Sequence, residues 1–417
     1  MLEKTKKIIS IILFLIVSIG LAFSIYFVFF GKKQEPIPTI VEEQPITGVE
    51  FPIAGEGGAQ IVEPGGGTTD EQIVTTEKEI EGVAQDEIIV NSKQLVDRNI
   101  SNVSDYSSIN DGIVYYDNFS QSFYKITEEG KISKLSDRKF YSVKNSIFSP
   151  TKNEAILEYP DNTKMLYDFN KDEFIAKFPK EAQDFAFSDQ GDKLSYKWID
   201  YYEDHNYLVT SNPDASNFKF IVPIADQAKN IQNIWSPDGE VMATFRKQED
   251  LERQYIYFIN ENNKNLRALL VDGFNFQGMW NTKGDKLLYN VTEPRIDYNP
   301  VLWVANGQGD GLGYGKASLG INTWVDKCSF SNIDSNVVYC AVPDSLPRGS
   351  GINSSIASNA VYSIYKINIG NGNQELIAQP IVNNSRVSID KIYISKNDSQ
   401  IFYVEQGSGY LYSINLK

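Results

Sequence analysis

The chain of 417 residues is poor in the side chains that most often build metal sites and nucleophilic active sites. It has two cysteines, Cys328 and Cys340, and a single histidine, His205. A zinc site needs roughly three or four Cys, His or carboxylate ligands, so this composition nearly excludes one. It also excludes a Ser-His-Asp or Cys-His enzyme, unless His205 is itself the base. The sequence therefore predicts no metal site and no catalytic residue.

Positive charge is also in short supply. The 39 Lys and Arg residues stand against 54 Asp and Glu residues, which gives a formal net charge of −15. Phosphate binding needs a basic surface, so nucleic acid is not expected as a partner. Residues 86–417 carry 42 acidic and 33 basic side chains, so this part is only mildly acidic. That charge favours solubility and does not point to a specific ligand.

One long segment without charge lies near the N-terminus. Residues 8–30 contain 23 residues without a charged side chain, and about 20 apolar residues suffice to cross a bilayer. Lys4, Lys6 and Lys7 precede this segment, and positive-inside reasoning places residues 1–7 in the cytoplasm. A cleaved signal peptide is the alternative, but its apolar stretch is usually shorter and ends at a small-x-small site. We expect an uncleaved single-pass anchor in the cell membrane, with the rest of the chain extracytoplasmic.

Residues 31–85 are rich in Pro, Gly, Glu and Thr and show neither helical nor strand periodicity. This segment has 11 acidic residues and 3 lysines. Such a composition cannot bury enough apolar surface to offset the entropy of ordering. We therefore predict a disordered acidic linker, and interpret it as a spacer in preference to a binding motif.

A short pattern recurs through the remaining residues, 86–417. An apolar strand end is followed by Ser or Asn, a polar tight turn and a second apolar strand. The Ser or Asn positions are Ser149, Ser188, Ser236, Asn281, Ser331 and Ser395, with spacings of 39, 48, 45, 50 and 64. Four-stranded propeller blades recur at about 40–50 residues. The long last interval contains a Ser-, Gly- and Pro-rich stretch at 343–359, which indicates a loop insertion.

Each turn precedes two further predicted strands. An aromatic residue follows the Ser or Asn after eight residues at Tyr196, Tyr289, Tyr339 and Tyr403, after nine at Phe245 and after ten at Tyr159. A degraded seventh copy has predicted strands at 113–116 and 123–126. The chain ends without a fourth strand in its last copy, and a strand near Leu95 can supply it and close the ring. We therefore predict an all-β, seven-bladed propeller, with six or eight blades as alternatives.

The repeat is clearest from Trp235 to Phe245, in Trp-Ser-Pro-Asp-Gly followed later by Phe. It resembles the WD40-like repeat of TolB-type propellers over most of the chain after Asp86. The resemblance implies a propeller fold, and such propellers occur as periplasmic or surface binding domains and as gating domains of serine peptidases. The peptidase interpretation has little support, because the chain has no α/β-hydrolase domain after the propeller and no Gly-x-Ser-x-Gly motif.

The two cysteines flank the Ser331 turn. If Ser331 faces Val337, then Cys328 faces Cys340 on the neighbouring antiparallel strand. An extracytoplasmic location permits a disulfide. Two reduced and buried thiols are the equally weighted alternative.

Residues 306–315 are rich in glycine, but no helix is predicted after them, so a phosphate-binding loop is not expected. We predict a loop between outer strands there, and no cofactor.

The predicted binding surface is made by loops between the second and third strands of four neighbouring blades. Tyr and Arg are enriched at recognition surfaces. These loops contain 249–253, the insertion after Pro343, and the candidate binding residues Tyr201, Tyr202, Glu203, Asp204, Arg295, Asp297 and Tyr298. Ordinary solvated loops are the alternative.

The sequence thus favours a non-enzymatic, membrane-anchored, extracytoplasmic scaffold that binds a protein or a cell-wall glycan. The alternative is a glycan-active hydrolase or lyase with carboxylates in the propeller channel. Hydrolysis would require two carboxylates about 5–10 Å apart.

Overall fold

The structure, a computed structural model, describes residues 88–97, 100–103, 112–262 and 266–416. The predicted cytoplasmic segment 1–7, membrane helix 8–30 and linker 31–85 lie outside these residues. All described residues belong to one compact unit, Pro52–Lys417. Within the described part of the chain, no helix is both long and apolar enough to cross a membrane.

Seven four-stranded antiparallel blades follow one another along the chain. Blade 1 has β3 (Ile100–Ser101), β4 (Ile113–Asp117), β5 (Ser122–Ile126) and β6 (Ile132–Lys134). Blade 2 has β7 (Asn145–Phe148), β8 (Glu154–Glu158), β9 (Lys164–Asp168) and β10 (Glu173–Phe178). Blade 3 has β11 (Ala182–Phe187), β12 (Leu194–Trp198), β13 (Tyr207–Ser211) and β14 (Lys219–Pro223). Blade 4 has β15 (Ile231–Asn233), β16 (Ala243–Gln248), β17 (Arg253–Ile259) and β18 (Leu269–Asp272).

The last three blades continue the same order. Blade 5 has β19 (Phe274–Trp280), β20 (Lys286–Glu293), β21 (Asn299–Asn306) and β22 (Ala317–Ser318). Blade 6 has β23 (Cys328–Phe330), β24 (Val337–Pro343), β25 (Tyr362–Asn368) and β26 (Gln374–Val382), with β27 (Ser385–Arg386) paired to β26. Blade 7 has β28 (Ile389–Ile394), β29 (Gln400–Glu405) and β30 (Leu411–Asn415). Short 3-10 helices lie in connections at Glu203–His205, Ala225–Asn230, Pro294–Ile296, Gly309–Gly311, Val325–Lys327 and Ser354–Ala357.

The fourth strand of blade 7 comes from the start of the described chain. Strand β2 (Lys93–Val96) pairs antiparallel with β30, which confirms the predicted closing strand near Leu95. Just before it, β1 (Ile89–Asn91) pairs parallel with β26 of blade 6. One segment therefore joins the two last blades and covers an edge in each of them. The count of seven blades is confirmed, and neither six nor eight applies.

The first strand of each blade lines the central channel, because first strands contact each other across blade boundaries, as β7 with β11 and β11 with β15. The recurring Ser or Asn at the end of this strand is buried in all six copies. At Ser236 the hydroxyl oxygen accepts the N–H of Val241 at 2.9 Å, and Gly239 in the same turn has a φ of 72°. A left-handed residue at this position suits glycine, which explains the Asp-Gly of the repeat.

The predicted second and third strands are found in every blade, with one local difference. Tyr159, the residue predicted ten positions after Ser149, lies just beyond β8, which ends at Glu158. The apolar position eight residues after Ser149 is Leu157, and its side chain is fully buried. The copy in blade 2 thus keeps the eight-residue spacing with a leucine in place of the aromatic residue.

Candidate functional site

The candidate binding loops connect second to third strands and therefore emerge at one end of the strands. Blade 3 contributes 199–206, and blades 4 and 5 contribute only the short connections 249–252 and 294–298. Blade 6 contributes the insertion at 344–361. We call this set of four loops the rim. The structure brings three of its loops into contact, those of blades 4, 5 and 6.

Blade 3 presents an aromatic pair. The side chains of Tyr201 and Tyr202 are 90% and 60% exposed, and their rings meet edge to face at 5.1 Å. His205 lies 5.7 Å from the Tyr202 ring and 3.9 Å from the Asp204 carboxylate. The buried side chain of Asn206 fixes the loop, since its Oδ1 accepts the N–H of Asp200 and its Nδ2 donates to the Ala225 carbonyl. The aromatic pair is therefore exposed on an anchored turn.

Blade 4 presents a turn organised by Asp250. Its carboxylate accepts the N–H groups of Glu252 and Arg253 at 2.8 and 2.7 Å, and the Arg253 side chain as well. The backbone hydrogen bond from Glu252, followed by the hydrogen bond from the Arg253 side chain, lowers the pKa of Asp250. Leu251 at the tip is 85% exposed.

Blade 5 joins blade 4 through Arg295, whose Nη2 lies 3.0 Å from Glu252 Oε2. Both side chains are mostly exposed, so this ion pair positions the loops and contributes little to stability. Between the two loops lies a cleft of about 730 Å³ lined by Leu251, Arg295, Trp303 and several carboxylates. At its wall, Trp303 Nε1 donates to Glu293 Oε1 at 2.7 Å.

Asp297 and Tyr298 connect blade 5 to the insertion of blade 6. Both have left-handed backbone conformations, with φ of 52° and 56°. This conformation is unfavourable for side chains other than glycine, above all for a bulky residue such as Tyr. In this conformation the Asp297 carbonyl accepts the N–H of Gly349 at 2.7 Å, and the Tyr298 carbonyl accepts the N–H of Gly351 at 2.9 Å. The backbone of predicted site residues thus holds the insertion in place.

Gly351 is the point at which the insertion reaches the channel side. Its carbonyl accepts Thr292 Oγ1 at 2.8 Å and Asn275 Nδ2 at 3.2 Å. A Cβ atom at position 351 would lie 2.6 Å from Thr292 Oγ1, so only glycine fits this contact. The contacts of Gly351 with Asn275 and Thr292 are not predictable from the sequence, because no local pattern links residues of different blades.

The channel beside the insertion contains carboxylates. Asp326 and Asp390 both line a cavity of about 520 Å³ there, together with Arg246 and Lys327. Lys327 is buried, and its Nζ donates to the carbonyls of Ile389 and Asp390 at 2.7 and 2.9 Å. The surrounding channel wall desolvates Asp326 and raises its pKa, although its side chain still reaches solvent, and burial lowers the pKa of Lys327. Among the described residues, no group of three or more His, Cys, Asp or Glu side chains could hold a metal ion.

Cys328 and Cys340 face each other on β23 and β24, in the register derived from the Ser331 turn. The structure joins their sulfur atoms in a disulfide. The glycine-rich segment 306–315 connects β21 to β22, as predicted for a loop between outer strands. Leu312 within it is buried in a cluster with Leu269 of blade 4, so the loop is docked on its neighbour.

Comparison with known proteins supports the fold and leaves the function open. No protein-family model matches the chain, and no curated protein matches it either. Among solved structures, an oligogalacturonate lyase in complex with manganese aligns with a TM-score of 0.54 at 14% identity, covering 79% of this chain and 97% of that chain. The oligogalacturonate lyase from Vibrio parahaemolyticus aligns at 0.52 and 13%, covering 77% and 92%.

A third similar structure is the Cps50 (Swd1) β-propeller domain from Myceliophteria thermophila, with a TM-score of 0.52 at 10% identity, covering 78% of this chain and 100% of that one. At these identities the likeness supports the β-propeller fold and establishes nothing about activity. The described residues hold no Cys, His and carboxylate cluster of the kind that would suit a metal such as the manganese named for the first structure.

Proposed function

We propose that this protein is a membrane-anchored, extracytoplasmic binding scaffold of the TolB-like kind, and that its rim binds a protein partner. The observation that carries the proposal is the fixed arrangement of the loops of blades 4, 5 and 6. Arg295 pairs with Glu252, and the carbonyls of Asp297 and Tyr298 hold the insertion. A preorganised surface loses little conformational entropy on binding, which favours affinity.

The exposed side chains on the rim are of the type that proteins recognise. Tyr201, Tyr202 and Leu251 have most of their surface in solvent, although large apolar side chains are usually buried. Beside Leu251, Arg295 and the carboxylates of the blade 4–5 cleft supply charge. An apolar centre with a charged rim is the usual composition of a protein interface.

The membrane anchor and the outward orientation are proposed from residues 8–30 and the lysines before them. The Cys328–Cys340 disulfide supports an oxidising compartment, since cytosolic proteins rarely keep disulfides. Protease added outside intact cells should remove the propeller from the membrane fraction by cleavage within 31–85. Full protection of the chain from external protease would contradict the orientation.

Rim binding is tested by cross-linking in cells and identification of the captured protein. The variant combines Tyr201→Ala, Tyr202→Ala, Arg295→Ala and Tyr298→Asn, the last because Asn tolerates the left-handed backbone better than Ala. The matched control combines Phe218→Ala and Ile333→Ala, which are 56% and 69% exposed in loops at the opposite end of the strands. Capture should be lost in the rim variant and kept in the control. Equal capture by both variants would reject the rim as the binding surface.

A glycan-active enzyme is the second candidate, and the channel carboxylates Asp326 and Asp390 are the observation that favours it. A carboxyl with a raised pKa, as at Asp326, is suited to general acid catalysis. Incubation of the protein with oligogalacturonate and peptidoglycan fragments should then yield new reducing or unsaturated ends. Asp326→Asn should abolish them. A wild-type protein that leaves every substrate intact would support the scaffold alone.

A further inference from the structure

The cavity of about 520 Å³ at the channel mouth has features of a ligand site that the rim does not explain. Residues 351–355 of the insertion form one part of its wall, and residues 324–327 before β23 form another. The first strands β19 and β28 contribute Asn275, Gln277 and Asp390. Small-molecule pockets usually measure roughly 300–1,000 Å³. The cavity is therefore large enough for a molecule of one to a few sugar-sized units.

A second cavity of about 230 Å³ continues along the channel wall towards blade 3. The two cavities share Arg246 and Gln277, so they adjoin each other. In the smaller one, the side-chain oxygen of Asn233 is buried and has no hydrogen-bond partner within the described protein. A buried carbonyl oxygen without a donor costs free energy, and after a small shift of the Asn233 side chain a ligand hydroxyl would satisfy it.

Charge in the larger cavity is balanced. Arg246 and Lys327 are the cations that line it, and Asp326 and Asp390 are the anions. The Lys327 ammonium is already fixed by two backbone carbonyls, and Arg246 Nη2 donates to the Lys229 carbonyl at 2.8 Å. Burial raises the pKa of Asp326 and lowers the pKa of Arg246, so the surroundings disfavour net charge. Because two cations and two anions cancel in the lining, a charged ligand gains no net attraction from the cavity.

Amide side chains supply the remaining polar groups. Asn275 and Gln277 lie on β19 with their side chains exposed to the channel, while Phe276 between them is buried. Asn275 donates its Nδ2 to the Gly351 carbonyl, so the side-chain oxygen of Asn275 is available to a ligand. Gln406 accepts Ser388 Oγ with its Oε1, so the side-chain amino group of Gln406 is available. Donors and acceptors are therefore both present, as recognition of hydroxyl groups requires. Trp324 adds apolar surface to the same wall.

From these features we infer that the channel mouth, from Asn233 to Gln406 past Gln277, binds an uncharged ligand rich in hydroxyl groups, of the neutral saccharide class. The inference does not depend on protein binding at the rim or on the membrane anchor. Binding requires no chemical step, so it stands whether or not the channel carboxylates catalyse a reaction.

The test is calorimetric titration of the full-length protein with two neutral probes, maltotetraose and chitotetraose, and one anionic probe, trigalacturonate. At least one neutral probe should bind, and trigalacturonate should bind at least about tenfold more weakly, a difference of about 1.4 kcal/mol. Gln277→Leu should weaken the neutral probe about tenfold, because leucine keeps the volume and removes the hydrogen bonds. Gln190→Leu, an exposed glutamine in the blade 3 turn at the opposite end of the strands, is the matched control and should bind normally.

The unfolding temperature of each variant is measured first. If Gln277→Leu does not fold, Gln406→Leu takes its place, because Gln406 is exposed beside the cavity. Failure of both neutral probes to bind at millimolar concentration would overturn the inference. Tighter binding of trigalacturonate than of both neutral probes would also overturn it, as would unchanged affinity in the channel variant. Protein capture at the rim is measured separately, so each of these outcomes leaves the proposed protein binding to its own test.

Discussion

Blades 1 and 2 meet through packed aromatic rings, whereas the channel side of blades 4 to 7 is lined with amides and charged groups. Phe123 has ring contacts with Phe140, Phe148 and Phe169 at 5.1, 5.9 and 5.3 Å. By contrast, the cavities at the channel wall are lined by residues such as Arg246, Asn275 and Gln277. The difference separates a core between blades, which is built from aromatic side chains, from a channel wall, which keeps polar side chains at its surface.

The largest expected effect concerns ring closure, on which both regions depend. A chain that begins at Arg98 lacks β1 and β2, so strands β26 and β30 lose their outer partners. Open strand edges promote aggregation and remove cooperativity. We expect this chain to aggregate or to unfold without a sharp transition in differential scanning calorimetry. A chain that begins at Asp86 is the control, and equal unfolding temperatures for the two would contradict the closing role of β2.

The second effect tests the aromatic region. Phe123 is fully buried, and Phe123→Ala should lower the free energy of unfolding by about 3–5 kcal/mol, because it creates a cavity among rings. Phe119→Ala is the matched control, since Phe119 is 87% exposed, and its effect should stay within about 0.5 kcal/mol. Urea unfolding measures both. If Phe123→Ala lowers the free energy of unfolding by less than about 1 kcal/mol, aromatic contacts do not dominate the packing between blades 1 and 2.

The third effect concerns the disulfide in blade 6, one of the blades whose channel side is polar. The combined change Cys328→Ala and Cys340→Ala should cost about 2–3 kcal/mol, because the bond closes a loop with a sequence separation of 12 residues. Urea unfolding of the oxidised wild type and the variant provides the comparison. Free-thiol titration of the unfolded wild type checks the oxidation state, and two reactive thiols would refute the disulfide in the native protein.

The smallest effect is a pH dependence at the channel. Burial raises the pKa of Asp326 above the ordinary value of 3.8, so the folded state holds this proton more tightly than the unfolded chain. The stability that Asp326 contributes is therefore fully present below pH 3.8, the ordinary pKa, and is lost as pH rises through the raised pKa. Asp326→Asn should be more stable relative to wild type at pH 7 than at pH 3. Equal pH profiles for the wild type and Asp326→Asn would contradict the assignment.

The repeat was predictable because it depends on contacts between near neighbours in the chain. Ser236, Asp238 and Gly239 form one turn through their own hydrogen bonds, so six residues are enough to identify it. The copy upstream of Ser149 could be placed only from its strands. Tyr159 was assigned to a strand that ends one residue earlier, because burial of Leu157 satisfies the same position without an aromatic ring.

The rim was predictable as a set of loops but not as a surface. Loop position follows from strand order, and this order correctly placed Tyr201, Arg295 and Tyr298 between second and third strands. Contacts among loops of different blades join residues that are far apart in sequence, such as Glu252 with Arg295 and Asn275 with Gly351. No local pattern encodes those pairs.

The sequence by itself determined the blade repeat, the closing strand near Leu95 and the register that sets Cys328 opposite Cys340, because each follows from the two-residue period of strands and the geometry of tight turns. Only the tertiary structure decided which loops touch, where the insertion docks and which polar side chains meet in the channel. The physical reason is that these contacts depend on the relative placement of whole blades, which is set by packing between their faces and leaves no periodic trace in the chain.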